Sequence, residues 1–196
     1  MSGALEVRAF LAIQLPPRVQ HGVWELVNDL ERHSKGAKWV ERENLHLTIK
    51  FLGNQTDEAL QRLEPILTEA AGATRPFTIA LGGLSAFPSR ASPRVVWLGL
   101  AHGDEATIAL HGRLEPELSR QEITPQDSRP FVPHVTLARA RARAGLATRR
   151  DFFETLVPPD AAHSFRAESL VLYMSELTRT GPIYSVMSRM PFGSLQ

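Results

Sequence analysis

Two tetrapeptides in the chain share one pattern, His, apolar, Thr, apolar: His46-Leu47-Thr48-Ile49 and His134-Val135-Thr136-Leu137. Both lie in stretches that read as β-strands, where successive side chains point to opposite faces. His46 and Thr48 then share a face, with Leu47 and Ile49 behind them. His134 and Thr136 are presented in the same way, over Val135 and Leu137. Two imidazoles and two hydroxyls facing a common cleft suit displacement at phosphorus. A neutral imidazole takes the proton of an attacking water, and an imidazolium protonates the leaving oxygen on the opposite side. The hydroxyls donate hydrogen bonds to the non-bridging oxygens as charge builds there. Imidazole titrates near pH 6.5, so both protonation states are accessible near neutrality.

A single His-x-Thr carries no weight, because 7 His among 196 residues give roughly 0.4 such matches by chance. The second copy, 88 residues on and in the same strand-like context, is what raises the pattern above two half-exposed strand histidines without a role. A metal site fits less well. Threonine is a poor zinc ligand, neither motif carries a carboxylate at ligand spacing, and the chain has no cysteine, so no metal and no cofactor are expected. No Gly-x-Ser-x-Gly elbow and no Walker-type glycine loop is present.

The elements that must hold the motifs follow from periodicity. Arg8 to Gln14 reads as a buried strand closed by Pro16-Pro17, and Pro17 to His33 as a helix with Val23, Leu26, Val27 and Leu30 inward. The first motif strand, Leu45 to Leu52, stops at Gly53-Asn54. Thr56 caps a second helix with Leu60, Leu63, Leu67 and Ala70 as its stripe and a kink expected at Pro65. Phe77 to Leu81 is a strand broken by Gly82-Gly83, and Pro88 to Pro93 is turn chemistry. Val95 to Leu98 is a buried strand, and Asp104 opens a third helix bearing Leu110, Leu114 and Leu118. The second motif is followed by a helix expected around Thr148 to Leu156. Strands at Ser169 to Met174 and Ile183 to Met187 are joined by a turn at Thr180-Gly181-Pro182. This points to α+β: a bilobal arrangement of two antiparallel sheets related by a pseudo-twofold, each contributing one motif strand, with helices outside and the cleft between lobes. Residues 1–196 are expected to form one such domain.

Composition sets outer bounds. Hydrophobic residues make up 43% and charged residues 22% of the chain, ordinary for a globular protein. A net charge of +1 argues against coating nucleic acid through many phosphate contacts and leaves a local basic patch open. No apolar run is long enough to span a membrane, and no signal-peptide layout opens the chain. A cytoplasmic monomer without membrane partners is expected.

Together these stretches resemble the two-histidine phosphoesterase superfamily, and the flanking text is similar to its RNA 2',3'-cyclic phosphodiesterase branch, historically called 2'-5' RNA ligase. The matching segments are Arg8 to Ile13, Trp39-Val40 with Glu43 to Gly53, Phe87-Pro88 with Pro93 to Gly99, Phe131 to Arg139, Leu172 to Ser175 and Gly181 to Tyr184. The resemblance implies a bilobal α+β fold and hydrolysis of an RNA-terminal 2',3'-cyclic phosphate to a 2'-phosphate. It implies His46 as proton donor, His134 as proton acceptor, and Thr48 and Thr136 as the phosphate-holding hydroxyls. The implied partners are RNA ends or nucleotides with a 2',3'-cyclic phosphate. Reversible 2'-5' joining of RNA, hydrolysis of small cyclic nucleotides, and an RNA- or nucleotide-binding module without turnover are the alternatives.

Arg139, Arg141, Arg143, Arg149 and Arg150 fall within twelve residues and read either as a basic rim for an RNA backbone or as a solvated loop. Arg139 is the phosphate-contact candidate among them. Strict alternation puts it on the face opposite His134, unless the strand bulges between them. Lys50 falls on the face of His46 and is read as a surface lysine; Phe51 takes the opposite face. Phe10 and Phe131 are read as core rather than as platforms for a base. His21, His33, His102, His111 and His163 are read as surface residues.

Overall fold

Strand β1, Val7–Gln14, is buried on both faces. Ala9, Leu11 and Ile13 enter the main core, while Phe10 and Ala12 join Val171 and Tyr173 in a smaller cluster on the other side. A strand buried in this way must lie inside a sheet, and the rest of the fold is arranged around it. The computed structural model describes residues 6–141, 146–148, 151–155, 157, 160, 162–179 and 181–193.

After β1, helix α1 (Pro17–Arg32) starts with proline in its first turn, where a missing N–H costs nothing, and buries Val19, Val23, Val27 and Leu30. Short strands β2 (Ser34–Lys35) and β3 (Ala37–Trp39) lead to the first motif strand, β4 (His46–Gln55). Helix α2 (Asp57–Gly72) is capped by Thr56, whose hydroxyl accepts from the Ala59 amide at 3.3 Å, with Asp57 and Glu58 at its positive end. It runs through Pro65 as one helix. The hairpin β5 (Phe77–Ser89) and β6 (Ser92–His102) precedes α3 (Asp104–Arg120), which buries Leu110, Leu114 and Leu118. Then come β7 (Val135–Ala140), β8 (Ala147–Thr148), β9 (Ser164–Ala167), β10 (Ser169–Leu177) and β11 (Pro182–Pro191).

The strand order is β11-β10-β1-β4-β7-β6-β5-β9, with β3 beside β7 and β2–β8 a separate short pair; the pairings are antiparallel. Two halves of four strands therefore meet at β4 and β7, the two motif strands, where Leu47 stands opposite Val135. The expected α+β, two-lobed arrangement is present, and hydrogen bonding across this junction joins its halves into one curled sheet. The helices supply their apolar stripes to the main core on one face of the sheet. Among the described residues, no helix is long and apolar enough to cross a membrane.

Two local expectations change. Gly82-Gly83 does not end β5; the register slips there between Leu81 and Leu84, Gly83 takes φ 75°, and the strand continues, so the pair makes a bulge rather than a break. Where a helix was expected from Thr148 to Leu156, the described residues form β8 and a 3₁₀ turn at Phe152–Glu154, while Leu156 lies outside the described residues, as does Thr180 of the expected turn. Phe152 still reaches the core, 1% exposed, so the apolar pattern reflected burial rather than helical period.

Leu47 is fully buried at the junction of the halves. Leu47→Ala is expected to lower unfolding free energy by ~2–5 kcal/mol, measured by urea denaturation. A loss under about 1 kcal/mol would mean that the junction repacks without it.

Candidate active site

His46 opens β4 and His134 immediately precedes the adjacent antiparallel strand β7, and both face one cleft of about 460 Å³. Each ring is fixed in the same way. His46 Nδ1 lies 2.7 Å from the carbonyl of Asn44, and His134 Nδ1 lies 2.7 Å from the carbonyl of Val132. A carbonyl only accepts, so both Nδ1 atoms carry the proton and both neutral rings keep a free lone pair on Nε2. Aromatic walls stand in matching places as well. Phe10 and Tyr184 flank His46 at 4.8 and 5.2 Å between ring centres, and Phe87 and Trp97 flank His134 at 5.1 and 5.6 Å. Thr48 and Thr136, two residues along each strand, line the same cleft.

Beyond the threonines simple alternation fails, and it fails identically in both strands. Along β4 the pairing with β1 runs Ala12 to Thr48 and then Leu11 to Lys50, skipping Ile49. Along β7 the pairing with β6 runs Trp97 to Thr136 and then Val96 to Ala138, skipping Leu137. A bulge at the fourth residue of each motif puts two successive side chains into the core, Ile49 with Lys50 and Leu137 with Ala138. The next residue then returns to the cleft. That residue is Phe51 in one strand, 58% exposed and on the cleft wall, and Arg139 in the other. The bulge thus brings Arg139 to the side of His134, where strict alternation would have turned it away. It also reverses the faces expected of Lys50 and Phe51: Lys50 is 3% exposed and is not a surface lysine.

The cleft also takes Arg8, Asn44, Ser175 and Tyr184, which sequence reasoning did not single out. Arg8 shares the face of Phe10 by plain alternation along β1. Arg8 and Tyr184 stand at the ends of two of the stretches that carried the resemblance, the available signal. Among the described residues, the lining holds two arginines, two histidines and no carboxylate, a field that suits an anion. Arg143, Arg149 and Arg150 lie outside the described residues; Arg141 is exposed past the end of β7 and does not line the cleft.

Burial dominates the titration of both imidazoles. Desolvation pushes His46 from 6.5 down to about 4, opposed by its bond to Asn44 and reinforced by His134 and Arg139. His134 is lowered by burial too, opposed by its bond to Val132 and reinforced by Arg139. Both rings are therefore neutral in the free cleft at pH 7. Burial also raises the Tyr184 hydroxyl, against the pull of Arg139 and Arg8.

Other expectations sort as follows. Phe10 is core, 3% exposed, and forms the cleft floor under His46. Phe131 is half-buried and stacked on His111 with ring centres 4.2 Å apart. His111 and His163 are buried, at 8% and 9% exposure, not surface residues. His163 bonds Asp160 at 3.1 Å, whereas His111 Nε2 stands 3.6 Å from Glu115 and Asp127 without a hydrogen bond, and burial lowers its pKa against the pull of these carboxylates.

A curled antiparallel sheet with paired imidazoles and threonines at its two central strands defines a two-histidine cleft. A profile of the 2'-5' RNA ligase superfamily matches residues 16–178, and the chain belongs to that superfamily. It is 32% identical over 183 residues to an RNA 2',3'-cyclic phosphodiesterase of Methanothermobacter thermautotrophicus, covering 93% of this chain and 97% of that one. A protein of the same name from Thermotoga maritima is 30% identical over 191 residues, covering 95% and 96%. Among solved structures, a Thermus thermophilus protein superposes with a TM-score of 0.78 at 27% identity, covering 96% of this chain and 100% of that one. E. coli LigT complexed with 3'-AMP gives 0.77 at 27% identity, covering 97% and 100%.

The depressed pKa of His46 has a consequence for stability. The unfolded chain takes up this proton near pH 6.5 and the folded one only near 4, so stability falls as pH drops through that window and levels off below it. The shift corresponds to about 3 kcal/mol. His46→Asn is expected to flatten the decline in unfolding free energy between pH 7 and 4 by up to that amount, read from denaturant melts across pH. An unchanged slope would show that the folded-state pKa is not depressed.

Proposed function

We propose that the protein hydrolyses the 2',3'-cyclic phosphate at the end of an RNA to a 2'-phosphate by acid–base catalysis between its two histidines, without a metal. What carries the reading is the matched pair of imidazoles, each with Nδ1 tied back to the nearby backbone and Nε2 free, around a cleft whose lining, among the described residues, holds two arginines and no carboxylate. The name borne by the relatives at about 30% identity over nearly the whole chain supports it.

In this reading water lies on the His134 side of phosphorus. His134 Nε2 accepts its proton as the new P–O bond forms. The bond from phosphorus to O3' breaks, and His46 Nε2–H delivers the proton that O3' needs. The Thr48 and Thr136 hydroxyls donate to the non-bridging oxygens, and Arg139 offsets their charge. His46 must be charged to act, although it is neutral in the free cleft. The phosphodiester itself corrects this: an anion a few ångströms from an imidazole stabilises its protonated form and raises its pKa. One core spanning both halves supports residues 1–196 acting as a single unit. A cytoplasmic monomer acting on RNA ends or nucleotides with a 2',3'-cyclic phosphate is the setting that goes with this chemistry.

The decisive assay is a short oligonucleotide ending in a 2',3'-cyclic phosphate, with the position of the product phosphate assigned; an unchanged substrate or a 3'-phosphate would reject the reading. His46→Ala and His134→Ala should each lose ~10²-fold or more in turnover with circular dichroism unchanged. A leaving group good enough to depart without a proton should rescue His46→Ala and not His134→Ala. Rescue of His134→Ala alone would reverse the roles.

The rate should follow a bell in pH. The alkaline limb reports loss of the acid's proton, and bound anion raises that pKa. The limb should therefore lie at higher pH in kcat, which reports the complex, than in kcat/KM, which reports the free enzyme. Coincident alkaline limbs would show that substrate charge does not set the protonation of the acid.

A further inference from the structure

Lysine is almost never fully buried unless paired, yet Lys50 is 3% exposed four residues after His46. Its ammonium lies 2.5 Å from Glu115 of α3, 3.0 Å from Asp127, and donates to the Pro125 carbonyl at 3.1 Å. His111 Nε2 stands 3.6 Å from each of these two carboxylates, and its ring stacks flat on Phe131. His111, Glu115 and Asp127 hold their ligand-type atoms within 4.8 Å of one another. The ammonium already sits among them and supplies the positive charge, so the cluster is an ion-pair network and not a cation site.

What the network holds is the segment that delivers His134. Residues 125–134 form neither helix nor strand, so no ladder of backbone bonds fixes them. The segment is tied at Pro125 and Asp127 by Lys50 and at Phe131 by His111. The next residue is Val132, whose carbonyl sets the tautomer of His134 at 2.7 Å. His46 has no such dependence. Its partner Asn44 closes a 3₁₀ turn and is tied to β11 through the Pro182 carbonyl at 3.1 Å. Burying the ammonium is costly in desolvation, and the pair stabilises little compared with apolar packing, which points to geometry as what it secures.

We propose that Lys50 is a positioning residue for His134: carried on the strand of one histidine, it anchors through Asp127 and Pro125 the loop whose carbonyl orients the other. The proposal rests on the reading of His134 as proton acceptor. Lys50→Met keeps the length of the side chain and removes its charge. Misplacing a reacting group by about 1 Å costs up to ~10²-fold, so kcat should fall ~10- to 100-fold with KM within about twofold. The variant should fail as a His134 variant fails: an aryl phosphodiester with a p-nitrophenolate leaving group should restore His46→Ala and leave Lys50→Met slow. In the imidazole nitrogen spectrum, His134 should be a single Nδ1–H tautomer in the natural protein and a mixture in Lys50→Met.

That spectrum needs no substrate. If the natural protein left every cyclic phosphate intact, the functional reading would fail while the tautomer still decided the positioning role. Because Lys50→Met leaves the largely enclosed Glu115 carboxylate with only the Asp127 amide, at 2.8 Å, Lys50→Met/Glu115→Gln and the half-exposed Asp127→Asn give the same readouts without that uncompensated charge. A folded variant with kcat within about twofold of normal, rescue by the aryl ester, or an unchanged His134 tautomer would overturn the proposal.

Discussion

The site depends on a one-residue slip after the threonine of each motif. A β-strand alternates with period two, so a slip of one residue exchanges the faces of everything beyond it. Here the slip occurs at Ile49 and at Leu137, at equivalent places in two strands that run side by side. Each strand can thus show His and Thr to the cleft, give two residues to the core, and return a third residue to the cleft. Without the slip in β7, Arg139 would face away from the cleft, which would keep one of the two arginines that line it among the described residues.

The backbone symmetry is stricter than the chemistry laid on it. The residue returned to the cleft is an arginine on one side and a phenylalanine on the other. The residue turned inward is Ala138 on one side and Lys50 on the other. At this one position β7 contributes charge to the cleft, and β4 contributes apolar wall and turns its charge behind the sheet onto Glu115 and Asp127. The two imidazoles are alike in their walls and unlike in their charges: His134 and Arg139 both push the His46 pKa down, whereas Arg139 does so at His134.

Burial keeps both imidazoles neutral until an anion arrives. In the proposed reaction the substrate itself therefore supplies the charge that protonates the donor. Arg139 works against it by lowering both pKa values, yet the same guanidinium favours binding of the anion that raises them. A phosphodiester between the rings satisfies both, because it neutralises the arginine and the imidazolium together.

Much of this was legible in the chain before folding. His46, Thr48, His134 and Thr136 are named by type and spacing, and strand alternation alone puts each pair on one face. The stripes of α1, α2 and α3 and the cap at Thr56 follow from period and from side-chain chemistry, which are local properties. What the sequence misread depended on contacts distant along the chain. Lys50 looked like a surface lysine because its partners, Glu115 and Asp127, lie 65 and 77 residues away. Phe51 was given the wrong face, and Arg139 could be given the cleft only on condition of a bulge, because a bulge is set by pairing with β1 and β6, which the strand's own residues do not encode. The aromatic residues near Thr148 to Leu156 suggested a helix, yet Phe152 is simply buried within a 3₁₀ turn. Residue type singled out the groups suited to such chemistry; only the sheet, by choosing where its ladder slips, decided which of them meet.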